Sequence, residues 1–199
     1  MVRIIAGQVR GLRLRTPGGL VTRPTSDRVR EALFNILGAR VIDSIFLDLF
    51  AGTGAVGLEA LSRGAREAVF IEKNRRALSC LDANLAATGF KDKARIIAAD
   101  ARPALDVLRR RGAAFDLIYI DPPYRQGWGD IILPAVVPLV APDGIVILET
   151  AASEATPETA DMVLLSRRIY GDTALIFYQR AGGLTDGVHE HNRRNGKTH

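Results

Sequence analysis

The sequence predicts an α/β fold built on a mostly parallel, doubly wound sheet of seven strands. From residue 45 onward, short apolar runs alternate with segments of helical length, which is the pattern of strand–helix–strand crossovers. The first five runs are strongly apolar, as expected of strands buried on both faces. The last two runs flank Gly171-Asp172-Thr173, which predicts a hairpin and an antiparallel last strand. The predicted strands cover residues 45–50, 68–71, 95–98, 115–120, 145–148, 162–170 and 174–178.

Residues 1–22 predict a basic arm that precedes this sheet. Residues 2–6 and 11–15 combine apolar and arginine side chains around a glycine-containing turn, which indicates a short β-hairpin with arginines on one face. Seven of the first thirty residues are arginine and one, Asp27, is acidic. This density favours a polyphosphate partner such as nucleic acid, whereas the alternative is an ordinary solvated basic surface.

Residues 23–181 are predicted to form the main domain. Arg23-Pro24-Thr25-Ser26-Asp27 is a proline-marked loop that supplies helix-capping residues, and a helix that ends at Gly38 should follow it. Further helices are expected over residues 74–88 and 128–140. Residues 182–199 have almost no apolar content and are expected to be disordered.

Composition excludes several kinds of chemistry. All three histidines lie in the last eleven residues, so the predicted domain offers no Ser-His-Asp triad, no Cys-His pair and no histidine-ligated metal. The single cysteine, Cys80, permits no internal disulfide and is expected to be a packed side chain. No apolar run approaches the roughly 20 residues of a membrane span, and no secretory signal precedes the first strand. We therefore expect a cytoplasmic protein without a metal site.

A glycine-rich turn follows the first central strand in Asp48-Leu49-Phe50-Ala51-Gly52-Thr53-Gly54-Ala55-Val56-Gly57. Such a turn brings backbone N–H groups close to a ligand, and Glu72 at the end of the next strand is placed to bind ribose hydroxyls. The glycine spacing alone fits NAD as well as S-adenosylmethionine, and a tight turn without a ligand is the plain alternative.

Two acids favour S-adenosylmethionine over NAD. Asp48 is placed to bind a cationic amino group, which NAD lacks, and Asp100 at the end of the third strand can accept from an adenine amino group. Each acid could instead cap a helix, but three acids at three successive strand ends indicate a ligand site. The predicted cofactor-binding residues are Asp48, Phe50, Ala51, Gly52, Thr53, Gly54, Glu72 and Asp100.

The catalytic motif is predicted to be Asp121-Pro122-Pro123-Tyr124, directly after the fourth central strand. The two prolines fix the backbone and leave nearby carbonyls free to accept hydrogen bonds. Asp121 and a carbonyl can accept both protons of an exocyclic amine, while the Tyr124 ring stacks on an extruded base. The alternative is a rigid turn. Carbon methylation of the cytosine type would need a cysteine here, and Cys80 lies elsewhere.

These residues resemble class I, Rossmann-like methyltransferases that act on amino groups. More closely, residues 3–180 resemble the bacterial 16S rRNA guanine-N2 methyltransferase family RsmD. The resemblance rests on Arg3-Ile4-Ile5-Ala6-Gly7 with Arg10-Gly11, on the stretches over residues 23–35 and 47–60, and on Asp121-Pro122-Pro123-Tyr124. The last motif alone is shared with DNA adenine and protein glutamine methyltransferases.

The resemblance implies methylation of N2 of one guanine in small-subunit rRNA, within an assembled or assembling particle, by a monomer that uses S-adenosylmethionine. It implies that Thr25 and Asp27 approach the methionine end of the cofactor. It also makes the arm the RNA-binding element, through Arg3, Arg10, Arg13, Arg15 and Arg28.

Three other functions remain open at this point. A DNA adenine methyltransferase usually carries a sizeable target-recognition domain, and here only the arm remains outside the predicted main domain. A nicotinamide oxidoreductase gives no role to Asp121. A non-enzymatic RNA-binding module accounts only for the arginines.

Overall fold

A computed structural model describes residues 2–17, 26–123 and 127–182. The strands are β1 (Ile45–Leu49), β2 (Glu67–Glu72), β3 (Ala94–Ala98), β4 (Phe115–Ile120), β5 (Val140–Ala151), β6 (Met162–Tyr170) and β7 (Thr173–Arg180). The α-helices are α1 (Asp27–Leu37), α2 (Ala55–Ser62), α3 (Arg75–Thr88), α4 (Ala101–Arg110) and α5 (Trp128–Val136), with short 3-10 turns at Gly38–Val41, Lys91–Lys93 and Val137–Leu139.

The seven strands form one sheet in the order β3-β2-β1-β4-β5-β7-β6. Strands β1 to β5 pair in parallel, whereas β7 runs antiparallel to both β5 and β6. The predicted sheet with an antiparallel last strand is confirmed. The chain reverses its winding direction between β1 and β4, and open α/β sheets bind ligands beyond the carboxyl ends of the strands at such a point.

Each face of the sheet carries its own apolar core. One core joins the N-terminal hairpin, α1, α2 and α3 to side chains such as Phe46 and Tyr119, and the other joins α4 and α5 to Leu47 and Ile118. Adjacent residues of β1 and β4 therefore face opposite cores, which explains why these runs are apolar throughout.

The N-terminal hairpin packs directly on the first core. Its two chains pair through bonds from the Ile4 N–H to the Leu12 carbonyl and from the Leu14 N–H to the Val2 carbonyl, 2.9 Å each. The side chains of Val2, Ile4 and Leu14 are buried. Between them, Arg3 and Arg13 stand directly opposite each other and both are exposed. The hairpin thus buries one side and presents arginines on the other.

Two predicted elements have other bounds in the structure: the strand expected over residues 145–148 spans Val140–Ala151, and the helix before it is shorter than predicted. The helix expected over residues 128–140 ends at Val136, a 3-10 turn follows at Val137–Leu139, and β5 already begins at Val140. Pro138 explains the early end because it has no N–H to continue the helical hydrogen bonds. The tail predicted to be disordered, residues 182–199, lies outside the described residues except for Gly182.

Within residues 2–17, 26–123 and 127–182, no helix has the length and apolar character to cross a membrane. The same ranges contain no group of three or more histidine, cysteine or acidic side chains arranged to hold a metal ion.

Candidate active site

The turn after β1 is held in an unusual backbone conformation. Phe50 has φ of 75°, which is rare for a bulky side chain, and the N–H groups of Phe50 and Ala51 both donate to the Ile71 carbonyl, at 3.2 and 2.9 Å. Gly52 and Gly54 also have positive φ, at 55° and 80°. A Cβ on Gly52 would meet open space, so this position faces the region outside the sheet edge. Strained backbone of this kind concentrates at ligand sites.

Asp48 lies beneath this turn. Its side chain is buried, and its Oδ2 accepts from the N–H of Gly57 in the first turn of α2, at 2.9 Å. Burial raises the pKa of Asp48 to about 7, with the nearby Glu72 adding to the rise and the Gly57 bond opposing it. The sequence placed Asp48 against a cationic amino group. The structure adds that this carboxylate is hydrogen-bonded to the first turn of α2.

Glu72 bridges the glycine turn and the start of α3. Its Oε2 accepts from the Gly52 N–H at 2.7 Å, and its Oε1 accepts from the N–H groups of Lys73 and Asn74 at 2.8 and 2.7 Å. A carboxylate has about four lone-pair sites, so these three bonds fix its orientation and leave it able to accept from a ligand hydroxyl.

Asp100 stands at the carboxyl end of β3, as predicted, and caps no N–H of α4 with its side chain. Its Oδ1 lies 2.7 Å from Nζ of Lys73, and both side chains are mostly exposed. This contact raises the pKa of Lys73. Exposed pairs of this kind contribute little to stability, so a ligand can displace the lysine at small cost.

Asp121 begins directly where β4 ends. Its N–H lies 3.4 Å from the Leu49 carbonyl of β1, so the motif adjoins the start of the glycine turn. Pro122 is buried and Pro123 is exposed. Both prolines line a cavity of about 160 Å³ together with Gly127, Trp128, Gly129, Asp130, Glu149, Thr150, Glu154, Ala155 and Pro157. Tyr124 and Thr25 lie outside the described residues, so their predicted roles stay predictions.

Trp128 connects this cavity to the glycine turn. The Trp128 and Phe50 rings meet edge to face, with centroids 5.5 Å apart and an interplanar angle of 72°. Aromatic pairs prefer this geometry. The cofactor turn and the cavity beside Asp121 therefore share one aromatic wall.

Two functional candidates were missed by sequence reasoning. Asn84 of α3 is buried; its Oδ1 accepts from the Arg15 N–H at 2.7 Å, and its Nδ2 donates to the carbonyls of Arg15 and Thr53 at 3.1 and 3.0 Å. It thus ties the arm to the glycine turn. An amide on the buried stripe of α3 was the signal that could have found it.

The second missed residue is Glu149 at the end of β5. It is buried, lines the cavity and accepts from the hydroxyl of Tyr119. A carboxylate directly after the apolar run of residues 145–148 was its signal.

Asp27 lies in the first turn of α1, where it pairs with two arginines. Its Oδ1 lies 3.1 Å from the buried Arg30 and its Oδ2 lies 3.6 Å from Arg3. Arg30 also lies 3.7 Å from the buried Glu59, whose carboxylate accepts from the Ile5 and Ala6 N–H groups at 2.7 and 3.0 Å. Burial lowers the pKa of Arg30. This network anchors the arm to α1 and α2.

The arginines predicted to bind RNA are all exposed: Arg3, Arg10, Arg13, Arg15 and Arg28. Arg30 is the last of the seven arginines among the first thirty residues, but its side chain is fully buried. We therefore assign it a structural role in place of RNA binding.

The hydrogen-bonding groups around the glycine turn fit S-adenosylmethionine better than NAD. In dinucleotide sites, the N-terminus of the helix after the turn binds a pyrophosphate. Here the Gly57 N–H donates to Asp48, so it is not available to a phosphate. The carboxylate of Asp48 at this end of the helix also disfavours the binding of an anion. Asp48, Glu72 and Asp100 can instead accept from the ammonium, the ribose hydroxyls and the adenine amino group of S-adenosylmethionine.

Comparisons with known proteins agree with this geometry. Residues 2–179 match the family described as Conserved hypothetical protein 95. Ribosomal RNA small subunit methyltransferase D of Escherichia coli K12 is 37% identical over 193 residues, covering 93% of each chain. The solved structure of E. coli YhhF superposes with a TM-score of 0.78 at 37% identity, over 90% of this chain and 97% of that one. SMU.776, crystallised with S-adenosylhomocysteine, shares the fold alone, with a TM-score of 0.63 at 17% identity over 76% of this chain and 48% of that one.

Proposed function

Because the chain belongs to the RsmD family of S-adenosylmethionine-dependent methyltransferases, we propose that it methylates the exocyclic N2 amine of one guanine in 16S rRNA. The observation that carries this proposal is the position of Asp121-Pro122-Pro123. The motif adjoins the glycine turn through Leu49 on one side and lines the 160 Å³ cavity on the other. A base in that cavity would present its amine between Asp121 and the cofactor.

Asp121 supplies the activation that this amine needs. The N2 lone pair of guanine is delocalised into the ring, so the amine is a poor nucleophile until its protons are held by acceptors. The bound cofactor supplies an electrophilic methyl group on a sulfonium. Transfer would join N2 to the methyl carbon and leave the electron pair of the broken carbon–sulfur bond on sulfur. Asp121 would accept one N2 proton and pass it to solvent. The protein contributes orientation and charge stabilisation.

The hairpin supplies a surface for the phosphates of the RNA. Arg3 and Arg13 are exposed directly opposite each other in an antiparallel pair, an arrangement that is destabilising for like charges. Asp27 offsets part of this repulsion through Arg3. Phosphates would offset the rest and release counterions on binding. Arg10, Arg15 and Arg28 would extend the same basic surface.

The proposal extends to the oligomeric state of the enzyme, its location and the particle on which it acts. We infer that the enzyme acts as a monomer, in the cytoplasm, on a small subunit or its assembly intermediate. Light scattering at micromolar concentration tests the monomer. A dimer would be sought first at the edge strand β6, where Val163, Leu164, Leu165 and Ile169 are exposed.

The decisive experiment is transfer of labelled methyl groups from S-adenosylmethionine to four substrates. These are small subunits from a strain that lacks the enzyme, naked 16S rRNA, large subunits and duplex DNA. We expect label in the small subunit, recovered as N2-methylguanosine and absent with Asp121→Ala. Label in adenine or in DNA would overturn the proposal and favour a DNA adenine methyltransferase. In a separate binding measurement, a protein that binds NAD but does not bind S-adenosylmethionine would favour the oxidoreductase.

A further inference from the structure

We propose that Glu149 selects guanine by accepting a hydrogen bond from its N1–H, beside the amine that Asp121 holds. This inference rests on the proposed function and adds a residue that determines specificity. It requires that Glu149 lie next to Asp121, that it border the cavity, and that its chemistry distinguish guanine from other purines.

The sheet register brings Asp121 and Glu149 to adjacent positions at the ends of two neighbouring strands. Strands β4 and β5 pair in parallel with Ile120 opposite Leu148, so the next residues along each strand are Asp121 and Glu149. Neighbouring strands lie about 4.8 Å apart. Since residues at alternate positions share a face, Glu149 lies on the same side of the sheet as Ile147, and Asp121 continues the side of Tyr119.

Glu149 is also held in place at the cavity. It is 2% exposed, and its Oε2 accepts from the Tyr119 hydroxyl one strand away. It lines the cavity together with Pro122, Pro123 and Trp128. A buried carboxylate whose orientation is fixed by a neighbour is suited to recognition, because little side-chain entropy remains to be lost. A carboxylate has about four lone-pair sites, so the Tyr119 bond does not by itself exhaust its capacity to accept.

The Watson–Crick edge of guanine matches two adjacent acceptors. Guanine carries a donor at N1 directly beside its N2 amine, whereas adenine carries an acceptor at N1 beside its N6 amine. An ionised carboxylate can only accept. Asp121 and Glu149 together therefore complement guanine, and Glu149 would face the lone pair of adenine N1. Sites built to bond a donor reject analogues that lack it, because the buried acceptor stays unpaired.

2-Aminopurine separates recognition from chemistry. It has the N2 amine of guanine but an acceptor at N1. After the target guanine is mapped, splint-ligated 16S rRNA carrying guanine or 2-aminopurine at that position is reconstituted into subunits for kcat/KM measurements. We expect the wild type to prefer guanine by about 100-fold or more. Glu149→Gln, whose amide can donate to N1, should methylate 2-aminopurine faster than the wild type and reduce the preference to within about fivefold.

A gain of activity on 2-aminopurine cannot arise from partial unfolding. Glu67→Gln is the matched control, because Glu67 is exposed at the start of β2 and does not line the cavity; it should keep the wild-type preference. The fluorescence of 2-aminopurine gives a readout without turnover, since Glu149→Gln should bind the modified RNA more tightly than the wild type does.

An unchanged preference in a folded Glu149→Gln protein would overturn the inference while leaving the proposed function intact. Failure of the wild type to methylate guanine at all would overturn the proposed function instead. Should Glu149→Gln not fold, Glu149→Asp decides the matter. This variant retains an acceptor-only group, so it should lose rate and keep the preference for guanine, and loss of the preference would overturn the inference.

Discussion

The indole of Trp128 touches the ring of Phe50 edge to face, and this contact joins the two halves of the active site. Phe50 belongs to the turn that the cofactor would approach, and Trp128 begins α5 and lines the cavity that we propose for the acceptor base. The methyl-donor side and the methyl-acceptor side of the proposed active site are therefore in direct contact.

We predict that Trp128→Ala lowers kcat/KM for the RNA by several-fold to tenfold. The change removes an aromatic pair worth about 1 kcal/mol and one wall of the cavity. Trp128→Phe retains an aromatic ring and should recover most of the activity. Steady-state kinetics with both variants checks this, and equal KM and kcat in Trp128→Ala and wild type would contradict it.

We predict that Asp121→Ala abolishes methyl transfer while the affinity for S-adenosylmethionine stays within a few-fold. The reason is that Asp121 would contact the acceptor amine, whereas the cofactor would be held by the turn and by Glu72. Single-turnover assays and calorimetric titration measure the two quantities separately. Wild-type turnover in Asp121→Ala would disprove the role of Asp121 in activating the amine.

Local sequence patterns were sufficient to predict the sheet, the glycine turn and the position of Asp121. Strand runs, turn glycines and a proline pair each report their conformation over a few residues. Asn84 and Glu149 escaped because their partners are distant, with Asn84 bonded to Arg15 69 positions away and Glu149 to Tyr119 30 positions away. Composition also could not distinguish the buried Arg30 from the exposed arginines of the hairpin, because that difference arises only when Glu59 and Asp27 meet it in the fold.

We predict that Asn84→Ala weakens binding of both RNA and S-adenosylmethionine and lowers the free energy of unfolding by about 1–3 kcal/mol. The side chain makes three hydrogen bonds, and its loss leaves the partly buried Thr53 carbonyl without that donor. Asn84→Asp keeps the acceptor for the Arg15 N–H but turns the donor that serves Thr53 into an acceptor, so it should be at least as damaging to cofactor affinity.

Urea unfolding and cofactor titration of the two Asn84 variants provide the check. Thr88→Ala is a suitable control, because Thr88 lies one turn further along α3 and bonds only within that helix among the described contacts. A loss of stability in both Asn84 variants with unchanged cofactor affinity would show that Asn84 does not position the turn.

We predict that stability depends on pH through Asp48. Its folded-state pKa is raised to about 7 from an ordinary value of 3.8, so the folded protein binds a proton that the unfolded chain has released. Stability from this group is therefore greatest at low pH and decreases as pH rises toward 7, by up to a few kcal/mol. Asp48→Asn has no such titration. We expect the unfolding free energy of the wild type to fall relative to that of Asp48→Asn as pH rises from about 5 to about 8.5. Parallel pH profiles of the two proteins would contradict this prediction.

The same titration tests whether Asp48 binds the cofactor. If the ionised carboxylate holds the ammonium of S-adenosylmethionine, affinity should increase as pH rises through about 7 in the wild type. Asp48→Asn should bind more weakly and lose this dependence. Equal affinities with equal pH profiles would show that Asp48 serves only to fix the Gly57 N–H.

We predict that charge reversal at Arg10 and Arg13 weakens RNA binding and flattens its salt dependence. Both side chains are exposed on the hairpin, and each lost phosphate contact should reduce the slope of log K against log salt by about 1. Reversal at Arg110 and Arg111 is a matched control, because these exposed arginines lie at the C-terminal end of α4, away from the hairpin. Filter binding across a salt series compares the two double variants. If both lowered the slope equally, the effect would reflect net charge alone, whereas a loss confined to Arg10 and Arg13 would identify the hairpin as the surface that holds the RNA.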